Sequence, residues 1–335
     1  MGGESASGGR PHAGIGDVTV GIVIVNYNTR EATLACLKSI AATSEDLRVS
    51  VVVVDNASSD GSAPAFREST SATVIDSGGN LGFARAVNLG ARALDTDYVL
   101  LLNPDTLMLP GSLRALLGFA LEHPEYGVYG GRTLAPDGSL DPHSCWGAPT
   151  LWSTFCFGTG LSTFFKDSAV FDPESLGTWQ RDTVREVDIV TGCLLLMTRE
   201  DFLTVGGMDE RYFLYGEDAE FSMRCSARGY RPVLVPEAVI VHENGGSSTS
   251  SDGSKMSMVL AGKVTLFRTL WSPPRATIAV ALLHAGVLLR ALLERATRRG
   301  ARPWAGVWAK RARWSPGYPK AEALLFGPRD STPGA

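Results

Sequence analysis

The turn Asn103-Pro104-Asp105 directly follows an apolar run at residues 98–102. A carboxylate oxygen in such a position can bind a hard divalent cation, and the cation can neutralise the negative charge that develops on a departing diphosphate. One carboxylate is enough where water and phosphate oxygens complete the coordination. The tripeptide is also ordinary turn chemistry, so taken alone it indicates only the junction of a strand and a turn.

A pair of acids, Glu217 and Asp218, follows the apolar segment 213–216. The pair could supply a general base, because an apolar approach desolvates a carboxylate and raises its pKa toward the working pH. The alternative is favourable negative charge in the first turn of a helix. Glu220 and Arg224 are four residues apart, which predicts a solvated ion pair on the same helix.

His242 ends a short apolar run at residues 239–241. A lone histidine is more often structural than ligating, but imidazole can join oxygen ligands around Mn²⁺ or Mg²⁺ as a minority ligand. The Gly- and Ser-rich residues 245–254 follow, and they predict a loop that could close over a bound ligand.

The elements that must position these residues alternate between strands and helices. Nearly continuous β-branched runs at residues 18–25 and 49–54 predict parallel strands buried on both faces, with a helix between them. A strand near 74–75, a helix at 81–94 and a strand at 98–102 repeat the pattern. The sequence therefore predicts an α/β fold, a doubly wound and mostly parallel sheet with helices on both faces. Polar residues end three of the strands, at the edge where such sheets bind ligands: Asn26, Asn28, Asp55, Asn56, Asn103 and Asp105.

The rest of the chain divides into a less regular middle and a helical end. Residues 142–182 have no clean period, which predicts a long loop or lid. Short strands at 232–235 and 239–241 close the α/β region, and the last ninety residues have helical spacing. The predicted parts are a disordered leader at 1–17, a catalytic domain at 18–252, a helical extension at 253–320 and a disordered tail at 321–335. The domain would have a nucleotide-binding half at 18–130 and an acceptor and catalytic half at 131–252.

Composition places the chain among globular proteins, with 44% hydrophobic and 20% charged residues over 335 positions. Five cysteines lack short paired spacings, so we expect free thiols in a reducing compartment, the cytoplasm. The first seventeen residues contain no apolar stretch of the kind that a secretory signal requires.

Charge is distributed unevenly along the chain. Residues 290–320 carry nine Lys and Arg and one Glu, which leaves 22 basic and 34 acidic residues elsewhere. Because Trp304, Trp308 and Trp314 are interleaved with these charges, the extension is predicted to lie peripherally on the inner membrane surface. Alternatively, the extension could pack on the catalytic domain or form the interface of a homodimer. The apolar run 276–293 contains His284 and Arg290 and is short for a spanning helix. The acidic body and the lack of a recognisable motif argue against nucleic acid as a partner.

These motifs, in this order, resemble those of the family 2 glycosyltransferases, especially the bacterial rhamnosyltransferase-like branch, over about residues 18–250. Asn103-Pro104-Asp105 stands where that family has Asp-any-Asp, with the first Asp replaced by Asn. The other matching segments are residues 25–28, 55–61, 80–88, 191–192, 216–220 and 241–242. The resemblance implies a GT-A-like fold with a helical C-terminal extension.

The resemblance also implies how a nucleotide-sugar donor is bound. Asp55 would bind the pyrimidine base or the ribose, and Arg85 would face the diphosphate at the start of a helix. Asn103 would position the turn and not bind metal. The implied donor-binding residues are Asn26, Asn28, Asp55, Asn80, Gly82, Arg85, Asn103 and Asp105.

The implied reaction is an inverting, metal-assisted displacement at the anomeric carbon. Asp218 would be the general base, with Glu217 orienting the acceptor or the start of the helix, while Asp105 and His242 would hold Mn²⁺ or Mg²⁺. The resemblance favours dTDP-L-rhamnose as donor and a lipid-linked or cell-envelope saccharide as acceptor. The alternatives are a UDP- or GDP-linked donor with a small-molecule acceptor, a nucleotidyltransferase, and a non-catalytic saccharide-binding relative.

Overall fold

The structure, a computed structural model, describes residues 14–44, 46–243, 253–297 and 303–326. The predicted leader up to residue 13, the predicted tail from residue 327 and most of the predicted loop 245–254 lie outside these ranges. The strands are β1 Thr19–Asn26, β2 Arg48–Asp55, β3 Thr73–Asp76, β4 Tyr98–Leu102, β5 Thr106–Met108, β6 Gly127–Leu134, β7 Cys145–Trp146, β8 Arg185–Glu186, β9 Ile189–Val190, β10 Leu194–Thr198 and β11 Arg231–His242.

The helices lie between the strands and dominate the C-terminal region. They are α1 Arg30–Thr43, α2 Ser62–Ser69, α3 Phe83–Ala93, α4 Ser112–Glu122, α5 Leu151–Thr159, α6 Leu161–Phe164, α7 Arg199–Thr204, α8 Glu217–Ser226, α9 Ser254–Leu270, α10 Pro273–Thr297, α11 Pro303–Ala309, α12 Arg311–Trp314 and α13 Lys320–Phe326.

The central sheet has the order β3-β2-β1-β4-β10-β6-β11-β5, with β8 paired to β11 as a ninth strand. Strands β1 to β4 are mutually parallel where they pair, and β11 is parallel to β6, whereas β10 runs antiparallel between β4 and β6. The predicted mostly parallel sheet with helices is therefore confirmed. The four consecutive strands β1 to β4 end on one edge because they run in the same direction.

Two layers of apolar side chains cover the sheet. Ile22 and Leu100 point into one layer with α1 and α4, and Val23 and Leu101 point into the other with α3 and α7. Successive residues of one strand thus enter opposite cores, which explains why the strand sequences are continuous apolar runs.

The two short strands predicted at 232–235 and 239–241 form one strand, β11. Its register with β6 shifts between Val235 and Val239, so the chain bulges there and then resumes pairing. Gly131 on β6 leaves room for this bulge, since a Cβ at that position would lie 2.3 Å from the Ala238 carbonyl oxygen.

The prediction of a long loop or lid at 142–182 is wrong in its centre, which forms helix α5. Thr150 and Ser153 make a reciprocal capping box that starts the helix. Trp152 and Phe155 occupy the exposed side while Cys156 is buried. Because apolar residues lie on both sides of α5, the sequence shows no amphipathic period that would have predicted a helix.

The Glu220–Arg224 pair, predicted to be solvated, is buried. Glu220 is 2% exposed, and its two carboxylate oxygens accept hydrogen bonds of 2.8 and 2.9 Å from the Arg224 guanidinium. Arg224 also donates to the Gly207 carbonyl at 2.7 Å, which fixes α8 against the chain after α7. The i,i+4 spacing predicted that Glu220 and Arg224 form an ion pair. It could not predict their burial, because burial depends on the elements that pack over α8.

Helices α9 to α13 enclose a third apolar core and confirm the predicted helical C-terminal region. Two boundary predictions need correction. Residues 321–326, assigned to a disordered tail, belong to α13, whose Ala321 and Glu322 are buried. Residues 14–17, assigned to the leader, form a turn in which the Asp17 amide donates to the Gly14 carbonyl at 2.9 Å.

Candidate active site

The ends of β1 and β2 bring Asn26 and Asp55 side by side, as neighbours in the parallel register. The Asn26 amide donates to Asp55 Oδ1 at 2.7 Å and to Ser58 Oγ at 2.9 Å. Its oxygen accepts from the hydroxyls of Thr29 and Thr33 at 2.8 and 2.9 Å. All four hydrogen-bonding positions of the amide are filled, so Asn26 orients Asp55 and presents no free group of its own.

Asp55 is 4% exposed and also accepts from the Ser58 amide at 3.1 Å. Each carboxylate oxygen keeps one acceptor position, which a hydroxyl or imide N–H could fill. Asn28 is exposed beside it, in a left-handed conformation with φ of 54°, and its side-chain oxygen accepts from the Ser59 amide at 2.7 Å. The two loops that follow β1 and β2 are thus tied together around Asp55.

Asn56 joins this edge to the start of α3, a role that the sequence did not single out. Its amide nitrogen donates to Asn80 Oδ1 at 3.0 Å and to the Gly82 carbonyl at 3.2 Å, and its oxygen accepts from the Leu81 amide at 2.8 Å. Asn56 is 3% exposed. The predicted segment Asn80 to Gly82 is therefore held to β2 by one buried amide.

Gly82 also contacts the loop that carries the acid pair. The Phe83 amide donates to the Phe213 carbonyl at 2.8 Å, and a Cβ on Gly82 would lie 2.4 Å from that same oxygen. Gly82 has φ of 79°, a conformation that other residues rarely adopt. The contact links the start of α3 to the residues just before α8.

Arg85, on the first turn of α3, is half-buried and lies within electrostatic range of the C-terminal helix α13. Burial raises the pKa of Glu322 on that helix, and the charge of Arg85 opposes the shift. A carboxylate from the extension therefore lies within electrostatic range of the guanidinium predicted to face the diphosphate.

Asp105 and His242 meet where β4 and β11 end. His242 Nε2 lies 3.3 Å from Asp105 Oδ1, and both side chains are about nine-tenths buried, at 10% and 8% exposure. The Asp105 carbonyl accepts from the Glu243 amide at 2.9 Å, which joins the two chain segments. Asn103 points elsewhere, its amide lying 3.2 Å from Cys193 Sγ, so it stands beside this pair and does not join it.

Asp141 holds the other side of the His242 ring. Its Oδ2 lies 2.8 Å from His242 Nδ1, and because a carboxylate only accepts, Nδ1 must carry the proton. Asp141 is 2% exposed and also accepts from the backbone and ring of His143. Burial opposes the charge on His242, but its hydrogen bonds to Asp105 and Asp141 outweigh burial and raise its pKa to about 9. Nε2 is left as the nitrogen that faces Asp105.

The acid pair occupies the first turn of α8, after the left-handed residues Tyr215 and Gly216. Glu217 is 5% exposed, and burial together with the neighbouring Asp218 raises its pKa. Burial also raises the pKa of Asp218, against backbone hydrogen bonds that include one from Gly192. Asp218 Oδ1 accepts from the Ala219 amide at 2.8 Å. Both carboxyls are thus destabilised as anions by their surroundings.

Three carboxylates lie within electrostatic range of the buried thiol of Cys193. Burial raises its pKa to about 12, and the charges of Asp105, Asp218 and Asp141 add to the shift. These three carboxylates come from the turn after β4, from α8 and from the chain after β6, and Cys193 directly precedes β10. The Asn103 amide donates to Cys193 Sγ, and the Gly192 backbone donates to Asp218, so both chain segments contact the residues before β10. The structure therefore brings Asp105, His242 and Asp218 to one edge of the sheet. All five cysteines are free, as predicted, and the structure shows that all five are buried.

Two family models each match part of the chain. The model of glycosyl transferase family 2 matches residues 21–176, and that of the N-terminal domain of galactosyltransferase matches residues 182–242. An N-acetylglucosaminyl-diphospho-decaprenol L-rhamnosyltransferase of Mycobacterium tuberculosis is 29% identical over 306 residues, which cover 83% of this chain and 95% of the relative. Rhamnosyltransferase WbbL of Escherichia coli is 30% identical over 178 residues, 50% of this chain and 62% of the relative.

Solved structures support the fold at lower identity. A mannosyltransferase of Pyrobaculum calidifontis, solved with GDP-Man and Mn²⁺, gives a TM-score of 0.52 at 18% identity, covering 92% of this chain and 85% of its own. GalNAc-T7, solved with UDP, GalNAc and Mn²⁺, gives 0.55 at 13% identity, with 92% and 56% coverage.

A sheet of this topology with acids at its carboxyl edge and these relatives defines a glycosyltransferase of GT-A-like fold. Residues 21–176 match glycosyl transferase family 2, and the chain resembles the rhamnosyltransferases.

Proposed function

We propose that the enzyme is an inverting glycosyltransferase that transfers L-rhamnose from dTDP-L-rhamnose to a hydroxyl of a lipid-linked saccharide. The observation that carries the proposal is the contact of His242 with Asp105 and Asp141, together with the hydrogen bonds that join Asn103 and Asp218 to the segment Gly192-Cys193. The choice of sugar and acceptor is supported by the name of the mycobacterial relative, which matches nearly along its whole length.

In the proposed donor site, Asp55 accepts hydrogen bonds from the base or ribose, and Asn26 keeps its carboxylate in place. Asn28, Asn80 and Gly82 shape the loops around it. Arg85 faces the diphosphate from the first turn of α3, where the helix N-terminus also favours negative charge. Asn103 positions the turn that carries Asp105.

The residues present fit a divalent cation. Two neighbouring ligands of an octahedral ion at about 2.1 Å lie about 3.0 Å apart, close to the 3.3 Å between Asp105 Oδ1 and His242 Nε2. Asp141 would orient His242 as an outer-shell carboxylate, an arrangement common around metal-bound histidine. Among the described residues no three His, Cys, Asp or Glu side chains form a metal cluster, so diphosphate and water must supply further ligands. When bound, the cation would neutralise charge on the leaving diphosphate.

Asp218 is the proposed general base. Its pKa is raised by burial, which makes it a better proton acceptor than an exposed carboxylate once it is ionised. Glu217 keeps an oxygen, Oε2, that is buried without a hydrogen-bond partner among the described residues. That oxygen is suited to a hydroxyl of the acceptor, and Glu217 would orient the sugar while Asp218 removes the proton.

We place the enzyme in the cytoplasm, peripherally on the membrane that would hold a lipid-linked acceptor. The basic residues 290–320 support this assignment through attraction to anionic lipid. The structural relatives with GDP-Man and UDP keep another nucleotide-sugar donor as the alternative.

The test is transfer and donor hydrolysis by the purified full-length enzyme with dTDP-rhamnose, UDP- and GDP-sugars, with Mn²⁺, Mg²⁺ or chelator. Asp218→Asn should lower kcat by about 10²- to 10⁴-fold with little change in donor binding. His242→Ala should raise the metal concentration needed for half activity, whereas His123→Ala, at the C-cap of α4, should not. Turnover of Asp218→Asn at the rate of the unmodified enzyme would exclude the proposed base, and turnover only with UDP- or GDP-sugars would exclude the rhamnosyl donor.

A further inference from the structure

Helices α5 and α6 expose a group of large aromatic side chains. Phe164 is 77% exposed, Phe165 51%, Trp152 46% and Phe155 40%. Trp152 stacks on Phe155 with ring centroids 5.6 Å apart, and the ring of Phe171 joins Trp152 to Phe165, at 6.2 and 4.9 Å. Single exposed apolar residues are normal in proteins, but a contiguous group is characteristic of an interaction surface.

Helix α10 exposes an apolar stripe of its own. Ile278 is 54% exposed and Leu292 is 51% exposed, and the positions between them on the same side, residues 281, 285 and 288, are Ala, Ala and Leu. This spacing of three or four residues describes one side of a helix about 21 Å long, with no charge on it. The opposite side, with Leu283 and Val287, is buried in the protein.

The two exposed groups form one surface because α5 and α10 are in close contact. Gly158 and Gly286 allow it: a Cβ on Gly158 would lie 2.9 Å from the Leu282 carbonyl, and one on Gly286 would lie 2.7 Å from Phe157. Arg290 donates to the Phe157 carbonyl and to Thr163 Oγ1, each at 2.7 Å. Gly160 lies between Leu289 of α10 and Phe164 of α6, so the aromatic group continues into the stripe. We name this surface the docking face; it comprises Trp152, Phe155, Phe164, Phe165, Ile278 and Leu292.

The basic composition of residues 290–320 favours an anionic lipid surface. The chain from residue 290 to 320 has nine Lys and Arg against one Glu. Arg275 lies 4.2 Å over the ring of Trp271, and Arg311 lies 4.7 Å over that of Trp308. Lys166 and Asp167 at the end of α6 are both exposed and offset each other. Aromatic rings together with arginines are typical of segments that lie at the boundary of headgroups and acyl chains.

Helix α10 also passes a test of length and apolarity for spanning a membrane, with a mean hydropathy of 2.0 over its most apolar 18 residues, of which 33% are buried. Its contacts with α5, α9 and α11 make an upright spanning position incompatible with the fold described here. A helix with one side buried in protein and the other apolar can instead lie along a surface.

We propose that the docking face inserts into the headgroup region of an anionic bilayer, with α10 parallel to the membrane plane. The inference adds α5 and α6, which the sequence assigned to a loop, to the basic extension as the membrane contact. Its use in catalysis rests on the proposed function, because only a lipid-linked acceptor requires the enzyme at the bilayer.

The test is sedimentation of the full-length protein with vesicles of phosphatidylcholine, with and without about one third phosphatidylglycerol. The unmodified protein should bind the anionic vesicles, and a Phe164→Glu/Phe165→Glu variant should bind at least about tenfold more weakly, because two exposed rings no longer enter the bilayer. A Val184→Glu/Leu203→Glu variant is the matched control, since both residues are exposed apolar side chains outside the docking face. Leu292→Glu tests α10 separately, and it should also weaken binding if the first variant fails to fold.

Equal vesicle binding by the unmodified protein, Phe164→Glu/Phe165→Glu and Leu292→Glu would overturn the proposal. So would a dimer in analytical ultracentrifugation that these variants dissociate without any vesicle binding, because a second copy would then cover the face. The assay needs neither donor nor acceptor. Vesicle binding without glycosyl transfer would therefore reject the proposed function alone, and transfer in detergent without vesicle binding would reject the docking face alone.

Discussion

Replacing Gly82 by alanine should separate the start of α3 from the loop that carries the acid pair. Gly82 has φ of 79° and ψ of 177°, and its Cα faces the Phe213 carbonyl. The added methyl group would lie 2.4 Å from that oxygen, well inside the distance of ordinary contact. Either α3 or the Phe213 loop must move, and the hydrogen bond between the Phe83 amide and the Phe213 carbonyl would lengthen.

Two costs determine the expected size of the effect. An alanine in this region of backbone conformation costs about 1–3 kcal/mol, and a methyl group forced into a filled space costs about 1–3 kcal/mol more. Relaxation of the loop would recover part of the second cost, so we expect the free energy of unfolding to fall by about 2–4 kcal/mol. The kcat/KM should also fall, because Phe213 precedes Glu217 and Asp218 by only a few residues.

The measurement is urea unfolding of the purified variant, with Gly79→Ala as the control. Gly79 lies in the same loop, has no neighbour within 4 Å of an added Cβ, and has no positive φ. The control should be neutral or stabilised by about 0.4–1 kcal/mol, since alanine reduces the freedom of the unfolded chain. If both variants unfolded at the same urea concentration with the same activity, the contact between α3 and the Phe213 loop would not have the importance assigned to it.

Two further predictions concern the buried charges of α8. Because burial raises the pKa of Asp218 and a base must be ionised, kcat/KM should fall as the pH drops through that raised pKa. Glu217→Gln, which resembles the protonated acid, should keep this acidic limb of the pH profile, and loss of the limb would show that Glu217 is the base. Arg224→Ala should lower the free energy of unfolding by about 3–5 kcal/mol, because Glu220 would remain buried without its partner. A Glu220→Leu/Arg224→Met variant measured by the same urea unfolding should recover most of the loss, and a loss as large in the double variant would contradict that account.

The sequence predicted those parts of the fold that depend on local pattern. The β1 and β4 strands are continuous apolar runs, and their polar ends, Asn26 and Asp105, lie at the common edge as expected. Asn56 was predicted to lie at the ligand-binding edge but was given no role there, and Asp141 was not identified, because nothing in their local sequence distinguishes them from turn residues. Their importance comes from partners far along the chain, Asn80 for one and His242 for the other, which only the folded structure supplies.

Helix α5 shows a second limit of predicting structure from sequence patterns. Its sequence carries a capping box, but its aromatic residues face outward and its small residues, such as Gly158, face α10. A pattern that assumes an apolar inside and a polar outside cannot identify such a helix. The failure is itself informative, because exposed rings on a helix whose other side is tightly packed are expected where the outside is not water.

The boundary predicted at residue 253 follows a change in composition. Residues on its C-terminal side nevertheless contact the loop that precedes the acid pair. Gly262 on α9 packs so closely on the loop before the acid pair that a Cβ there would lie 2.1 Å from the Tyr215 carbonyl oxygen. Tyr318 donates from its hydroxyl to the Leu214 carbonyl at 2.8 Å. The residues that lead into Glu217 and Asp218 are therefore held from outside by the C-terminal helices, and an enzyme shortened at residue 253 would lose the support of its proposed base. The extension that would contact the membrane is the same one that fixes this loop, so the two parts belong to one catalytic unit.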